Sequence, residues 1–216
     1  YPMVKEARDL VAGDRLGAVR RVVVEYPQGW LATDIEATGQ KQAAWRTDPR
    51  FAGASSCMGD IGTHCENLAE YITGLQITEM CADLTTFVSG RRLEDDGSVL
   101  LRFGDSARGV LWASQVAIGQ ENTLSIRVYG EKGSLEWHQE EPNTLVACWP
   151  DKPTETRRTA TAFVGEAASS SARLPAGHPE GYLEAFANIY SSFADALSSA
   201  LAGENSDATR PEFPDV

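Results

Sequence analysis

The chain has 216 residues, enough for one sizeable domain or at most two small ones. Hydrophobic residues make up 42% and charged residues 23%, an ordinary globular balance, while a net charge of −12 argues against phosphate-backbone binding, which needs a basic surface. No apolar run approaches membrane-spanning length and no signal peptide is visible. The four cysteines (Cys57, Cys65, Cys81, Cys148) lack zinc spacing and the density of a disulfide framework, so reduced thiols in a cytoplasmic protein are the expectation.

In chain order, residues 2–12 read as a helix, with Pro2 suited to a first helical position and Gly13 to the stop. Residues 17–26, rich in valine, read as a strand. The stretch 27–57 has little periodicity. Loops of that length in a compact domain are usually functional or disordered, and Trp30, Trp45 and Arg46 favour an ordered, functional one. Residues 58–74 carry the clearest helical pattern: Met58, Ile61, Cys65, Leu68 and Ile72 form an apolar stripe, Asp60, His64, Asn67 and Tyr71 a polar one beside it, and Gly74 ends the helix.

From 75 to 148 the pattern becomes short strands separated by turn signals: 76–89, 97–103, 107–118, 122–130, 133–138 and 143–148. Short turns between strands predict an antiparallel meander rather than βαβ units. Asp95-Asp96 reads as a turn, Arg157-Arg158 as solvated charge, and 149–178 as a mobile surface excursion. A last helix over about 179–202 carries the stripe Tyr182, Phe186, Ile189, Phe193 and Leu197. The sum is one α+β domain, an open, mainly antiparallel sheet with helices on one face. Tyr1-Pro2-Met3 and Phe213-Pro214-Asp215-Val216 read as cut ends, so the expectation is a segment of a longer protein, truncated at both ends.

Asp60 and His64 carry the chemistry. Positions i and i+4 of a helix share a face, so one carboxylate and one titratable ring point into the same space, as an acid/base pair requires. The same spacing also serves a capping aspartate with an incidental polar neighbour. A metal site is disfavoured, because His138 and His178 are far from His64 in sequence and too few ligands remain. Gly130-Glu131-Lys132-Gly133-Ser134 is not a phosphate loop: strand-like flanks on both sides make it a hairpin turn. Trp45 next to Arg46, with Trp30 nearby, offers a flat cationic wall for a sugar or a nicotinamide ring. Lys41 and His178 are further candidates for the same cavity.

Four segments occur in an order and spacing that resemble the second domain of the glucose–fructose oxidoreductase / inositol dehydrogenase / MocA (Gfo/Idh/MocA) family. They are Ala44-Trp45-Arg46-Thr47-Asp48-Pro49, Cys57-Met58-Gly59-Asp60-Ile61-Gly62-Thr63-His64, the run from Val128 to Trp137, and the helix start from His178 to Phe186. The resemblance implies a substrate and oligomerisation domain spanning 1–216, working with an N-terminal Rossmann domain absent from this chain. It implies NAD or NADP, bound mainly by that absent domain, and a sugar, cyclitol or related polyol as substrate. The family's D-x-x-x-H falls on Asp60 and His64, which become catalytic and substrate-binding candidates, and its Trp-Arg falls on Trp45 and Arg46, which approach cofactor or substrate in relatives. Where many members carry three glycines this chain has Ala54-Ser55-Ser56. The other expectation is a non-catalytic assembly module, since both sides of the 107–118 strand carry apolar groups and an open sheet face suits a second copy.

Overall fold

The computed structural model describes residues 1–203. Phe213-Pro214-Asp215-Val216, read above as a cut end, lies outside them. Among the described residues one eight-stranded sheet runs in the order β2-β3-β4-β1-β5-β6-β7-β8. The strands are β1 (Val19–Pro27), β2 (Glu79–Thr85), β3 (Asp96–Phe103), β4 (Ala107–Ser114), β5 (Ser125–Gly130), β6 (Ser134–His138), β7 (Thr144–Cys148) and β8 (Glu155–Arg158). Every neighbouring pair is antiparallel except β1 and β4, which run parallel in the middle of the sheet.

The parallel pair corrects the expected simple meander. Strand β1 is followed by a long helical crossover, not a tight turn, so nothing forces it to pair with β2. It lies instead between two separate meanders, β2–β4 and β5–β8. The hairpin reading of Gly130–Ser134 holds: β5 ends and β6 begins there, and Gly130 N–H donates to the Gly133 carbonyl at 2.8 Å.

Helices α1 (Pro2–Ala12) and α4 (Thr63–Thr73) cover one face of the sheet, α1 over β6 and β7, α4 over β1, β4 and β5. Met3, Ala7 and Leu10 of α1 and Cys65, Leu68 and Ile72 of α4 are buried against inward residues such as Val22, Val24, Leu111, Ile126 and Val128. Each fully buried Leu, Ile or Val contributes about 1.5–3 kcal/mol. Gly74 ends α4 with a left-handed φ of 67°, which a residue without Cβ adopts freely.

Segment 149–178 is more structured than its composition suggests. It contains β8 and α5 (Glu166–Ser171), both tied to α1. The carboxylate of Glu6, only 2% exposed, accepts from Arg157 Nη1 at 2.6 Å and from Gly165 N–H at 2.7 Å. Arg157 is therefore a half-buried partner rather than solvated charge; an apolar helix face that contains Glu6 needs a cation to compensate it. Helix α6 (Tyr182–Leu201) forms as expected, but its stripe stays open: Tyr182 is 62% exposed and Phe193 56%.

Among the described residues no element covers the opposite face of the sheet. Leu100 is 62% exposed, and Val110 and Trp112 are half-buried. Arg102, Arg108 and Arg21 stand side by side in register across β3, β4 and β1, and they border a depression of about 470 Å³.

Candidate functional site

Because β1 and β4 are parallel, their carboxyl ends lie together. Pro27 pairs with Ser114, and Gln28 N–H donates to the Ser114 carbonyl at 2.7 Å. A cavity of about 400 Å³ opens there. Three pieces of chain line it: Tyr26, Gln28 and Trp30 from the end of β1, Gln40, Gln42 and Arg46 from around α2 (Lys41–Arg46), and Asp60, Ile61 and His64 from the approach to α4.

The 27–57 stretch is ordered by its own caps. It contains a 3₁₀ turn (Ile35–Thr38), α2, and α3 (Pro49–Ala52). The Gln40 side chain caps α2 by accepting from Ala43 N–H, and Asp48 caps α3 with Pro49 at the first helical position. Arg50 hydrogen bonds hold the Asp48 carboxyl at about 2. The stretch is fastened to the sheet by Arg91, whose guanidinium donates to both Glu36 carboxylate oxygens (2.7 and 3.0 Å), to Asp95 Oδ2 (3.2 Å) and to the carbonyls of Leu31 and Thr33 (2.8 Å each). Those hydrogen bonds also hold the Glu36 carboxyl below the usual carboxylate range. Asp95, read above as a turn residue, is 1% exposed and also accepts from the Phe87 and Val88 amides; Asp96 opens β3.

Asp60 does not sit on a plain α-helix. Met58–Gly62 is a π-helical turn, in which Thr63 N–H reaches back to the Met58 carbonyl. Such turns concentrate at functional sites. Glu94, buried, holds its start: one carboxylate oxygen accepts from Ser55 Oγ (2.5 Å) and from the Ser56 and Met58 amides (3.0 Å each). Ser55 and Ser56 thus make the anchor of this turn.

Around Asp60 the polar groups converge. Arg46 Nε and Gln115 Nε2 both donate to Oδ2, each at 2.8 Å. The Arg46 guanidinium lies 4.1 Å from the Trp45 ring centroid and 5.8 Å from that of Trp30, and its Nη1 donates to Gln42 Oε1 at 2.7 Å. His64 packs edge-on to Tyr26 with ring centroids 5.9 Å apart, and the Tyr26 hydroxyl donates to Asn122 Oδ1 at 2.6 Å. Burial raises the Tyr26 hydroxyl above the ordinary tyrosine range, which keeps it a donor. Asp60 Oδ1 and both imidazole nitrogens of His64 take no hydrogen bond from the described residues. The arrangement sets a carboxylate oxygen and an imidazole on one open cavity, with Asp60 held from behind by Arg46 and Gln115 and His64 against the edge of Tyr26.

Of the residues singled out from sequence, Asp60, His64, Arg46 and Trp30 line the cavity together, and Trp45 backs Arg46. Lys41 and His178 do not line it. Lys41 is exposed on α2 between Gln40 and Gln42, and His178 is exposed with its ring on the Pro175 carbonyl. Sequence reasoning missed Gln28, Gln40, Gln42 and Gln115. The available signal was Gln115, a polar residue in the inward register of Leu111 and Ala113. Among the described residues no group of three or more His, Cys, Asp or Glu could hold a metal ion.

Among the described residues, an open α+β sheet thus carries a carboxylate and an imidazole at the carboxyl ends of its one parallel pair, beside a cavity. Residues 4–136 match the GFO/IDH/MocA C-terminal domain, and the chain belongs to that family. It is 32% identical over 219 residues to the uncharacterized oxidoreductase YfiI of Bacillus subtilis, covering 99% of this chain and 55% of that protein. An inositol dehydrogenase homolog from Azotobacter vinelandii, solved with NAD+, superposes with a TM-score of 0.90 at 34% identity, over 94% of this chain and 53% of that one. The homolog's structure with NADH and myo-inositol gives 0.85 at 32%, over 94% and 52%. The chain spans about half the length of these relatives.

Proposed function

We propose that the chain is the substrate domain of an NAD(P)-dependent oxidoreductase that moves a hydride between the nicotinamide and a sugar, cyclitol or related polyol. The observation that carries this reading is the pair of unpartnered acceptors, Asp60 Oδ1 and the His64 ring, on one cavity. Removing hydride from a secondary alcohol carbon requires loss of the hydroxyl proton, and a base within hydrogen-bond reach lowers that barrier. His64 accepts that proton. Asp60 orients a substrate hydroxyl and favours the imidazolium as it forms. Tyr26 holds the imidazole by its edge.

The residues present fit one end of a nicotinamide cofactor: Trp30, Trp45 and Arg46 offer a flat wall, while the Arg46 guanidinium is committed to Asp60 and Gln42 and leaves little for phosphates. When bound, the cofactor supplies the hydride acceptor; its phosphates belong on an N-terminal dinucleotide-binding domain outside this chain. The free cysteines suit a reducing, cytoplasmic setting. In the full-length protein, with NAD+ or NADP+ and a panel including myo-inositol and levoglucosan, His64→Ala should cut turnover far more than cofactor affinity. Unchanged turnover refutes the role. The 216-residue chain alone should show no NADH fluorescence change at micromolar cofactor.

The open face supports a second, compatible reading, assembly with another copy. Leu100, Val110 and Trp112 lie there, and of the in-register arginines Arg21, Arg102 and Arg108, Arg102 pairs with Glu79 at 3.4 Å, while acidic groups of a partner would offset the repulsion that remains among the three. Light scattering decides: Leu100→Asp should shift a dimer to monomer, and a parent chain that is monomeric at high concentration rules the reading out.

A further inference from the structure

We infer that Gln115 is a positioning residue that fixes which oxygen of Asp60 meets the substrate. The inference rests on the dehydrogenase reading above and deepens it.

Gln115 follows β4, two residues beyond Ala113 on the inward side, and is fully buried. Its main chain is held at both ends. Gln115 N–H donates to the Asp95 carbonyl at 2.9 Å, and its own carbonyl accepts from Leu31 N–H at 3.0 Å. Its carboxamide therefore has a fixed origin. Nε2 donates to Asp60 Oδ2, while Oε1 is buried without a partner. An orphaned buried acceptor costs stability, and a leucine would fill this inward position more cheaply. The polar group has one visible purpose, Asp60. With Arg46 on the same oxygen, Oδ2 is saturated and Oδ1 is left to the cavity. A carboxylate oxygen carries no proton to donate, so Oδ1 can only accept. It selects a ligand with a hydroxyl at that point and rejects one with an ether or carbonyl oxygen there. Asp60 is then the reader of a neighbouring hydroxyl, and proton transfer falls to His64.

The test compares Gln115→Leu with Gln115→Glu in the full-length protein, using NAD+ and whichever polyol the parent oxidises. Both variants should raise KM for the polyol about tenfold or more at pH 8, with kcat changed far less. In Gln115→Glu two carboxylates share one buried site and one takes a proton as pH falls. Its KM should therefore recover towards the parent value at pH 6, whereas that of Gln115→Leu should not. The 216-residue chain gives an independent reading: Gln115→Glu should lower Tm, relative to the parent chain, by about 5 °C more at pH 8 than at pH 5. Absence of that melting gap overturns the pairing itself. A gap with KM unchanged in both variants overturns the positioning role and leaves a structural one. A parent protein inactive on every polyol overturns the dehydrogenase reading, and this inference with it, even where the melting gap persists.

Discussion

Arg91 should be the costliest single side chain to remove outside the apolar core. Its side chain is 3% exposed and makes five hydrogen bonds that join the 28–38 segment to the strand-entry loop at Asp95. Arg91→Met keeps most of the volume and removes the cation. Glu36 is 17% exposed and regains water readily, so its loss is small. The Asp95 side chain is 2% exposed and keeps only its two backbone donors, and the Leu31 and Thr33 carbonyls lose theirs. Breaking a buried pair by deleting one partner typically costs about 3–5 kcal/mol. The surviving donors to Asp95 place this case at the lower end, about 3–4 kcal/mol. With an unfolding entropy of about 0.45 kcal/mol/K for a chain of this length, Tm falls by about 7–9 °C. Thermal melts by circular dichroism measure the global loss, and Trp30 fluorescence reports the fastened segment. A Tm within about 1 °C of the parent would refute the claim that this ion cluster holds the loop.

Three further outcomes follow from the same geometry. Because hydrogen bonds from Arg91 hold the Glu36 carboxyl below its ordinary range when folded, its contribution is full above that range and disappears as pH falls through the lowered folded value; Glu36→Gln should lower Tm at pH 7, and the gap should close in acid as that carboxyl takes its proton. Burial pushes the Cys65 thiol up to about 12, and burial together with Glu94 raises Cys57 as well, so Ellman's reagent at pH 8 should titrate Cys81 and Cys148 in the folded chain and all four only in denaturant. A Cβ on Gly97 would fall 2.6 Å from Met58 Sδ, so Gly97→Ala should cost about 1–3 kcal/mol by urea melts, and the added Met58→Ala should cost less than the sum of the two single changes.

Much of the fold was legible because its elements are periodic. The 58–74 pattern states which side of that helix faces the core, and α1, α4 with its Gly74 stop and the hairpins lie where their signals put them. The exceptions are residues whose role depends on a partner far along the chain. Arg157 looks like solvated charge until Glu6 is brought to it across 151 positions, and Asp95 looks like a turn until Arg91, four residues away, is itself fixed by Glu36 from 55 positions back. No local pattern announces such pairs, because burial of a charge is decided by the element that covers it. The stripe of α6 is the reverse case: its apolar period is unmistakable, yet no described element covers it.

The candidate site was legible as a pair and not as a place. The four-residue spacing puts Asp60 and His64 on one side of a turn, but the π-helical winding, the Glu94 anchor and the two donors on Oδ2 come from α2, from the loop before β3 and from the residue after β4. They meet because β1 and β4 are parallel, the one pairing that the short turns hid. An antiparallel neighbour would send the chain after β4 to the far end of β1, and Gln115 would leave Tyr26, Gln28 and Asp60 behind. The parallel register instead sets two carboxyl ends side by side, where open sheets containing parallel strands commonly hold ligands. The acid and the imidazole are thus supplied by one turn, while the oxygen left free and the ring face left open are set by the topology of the sheet.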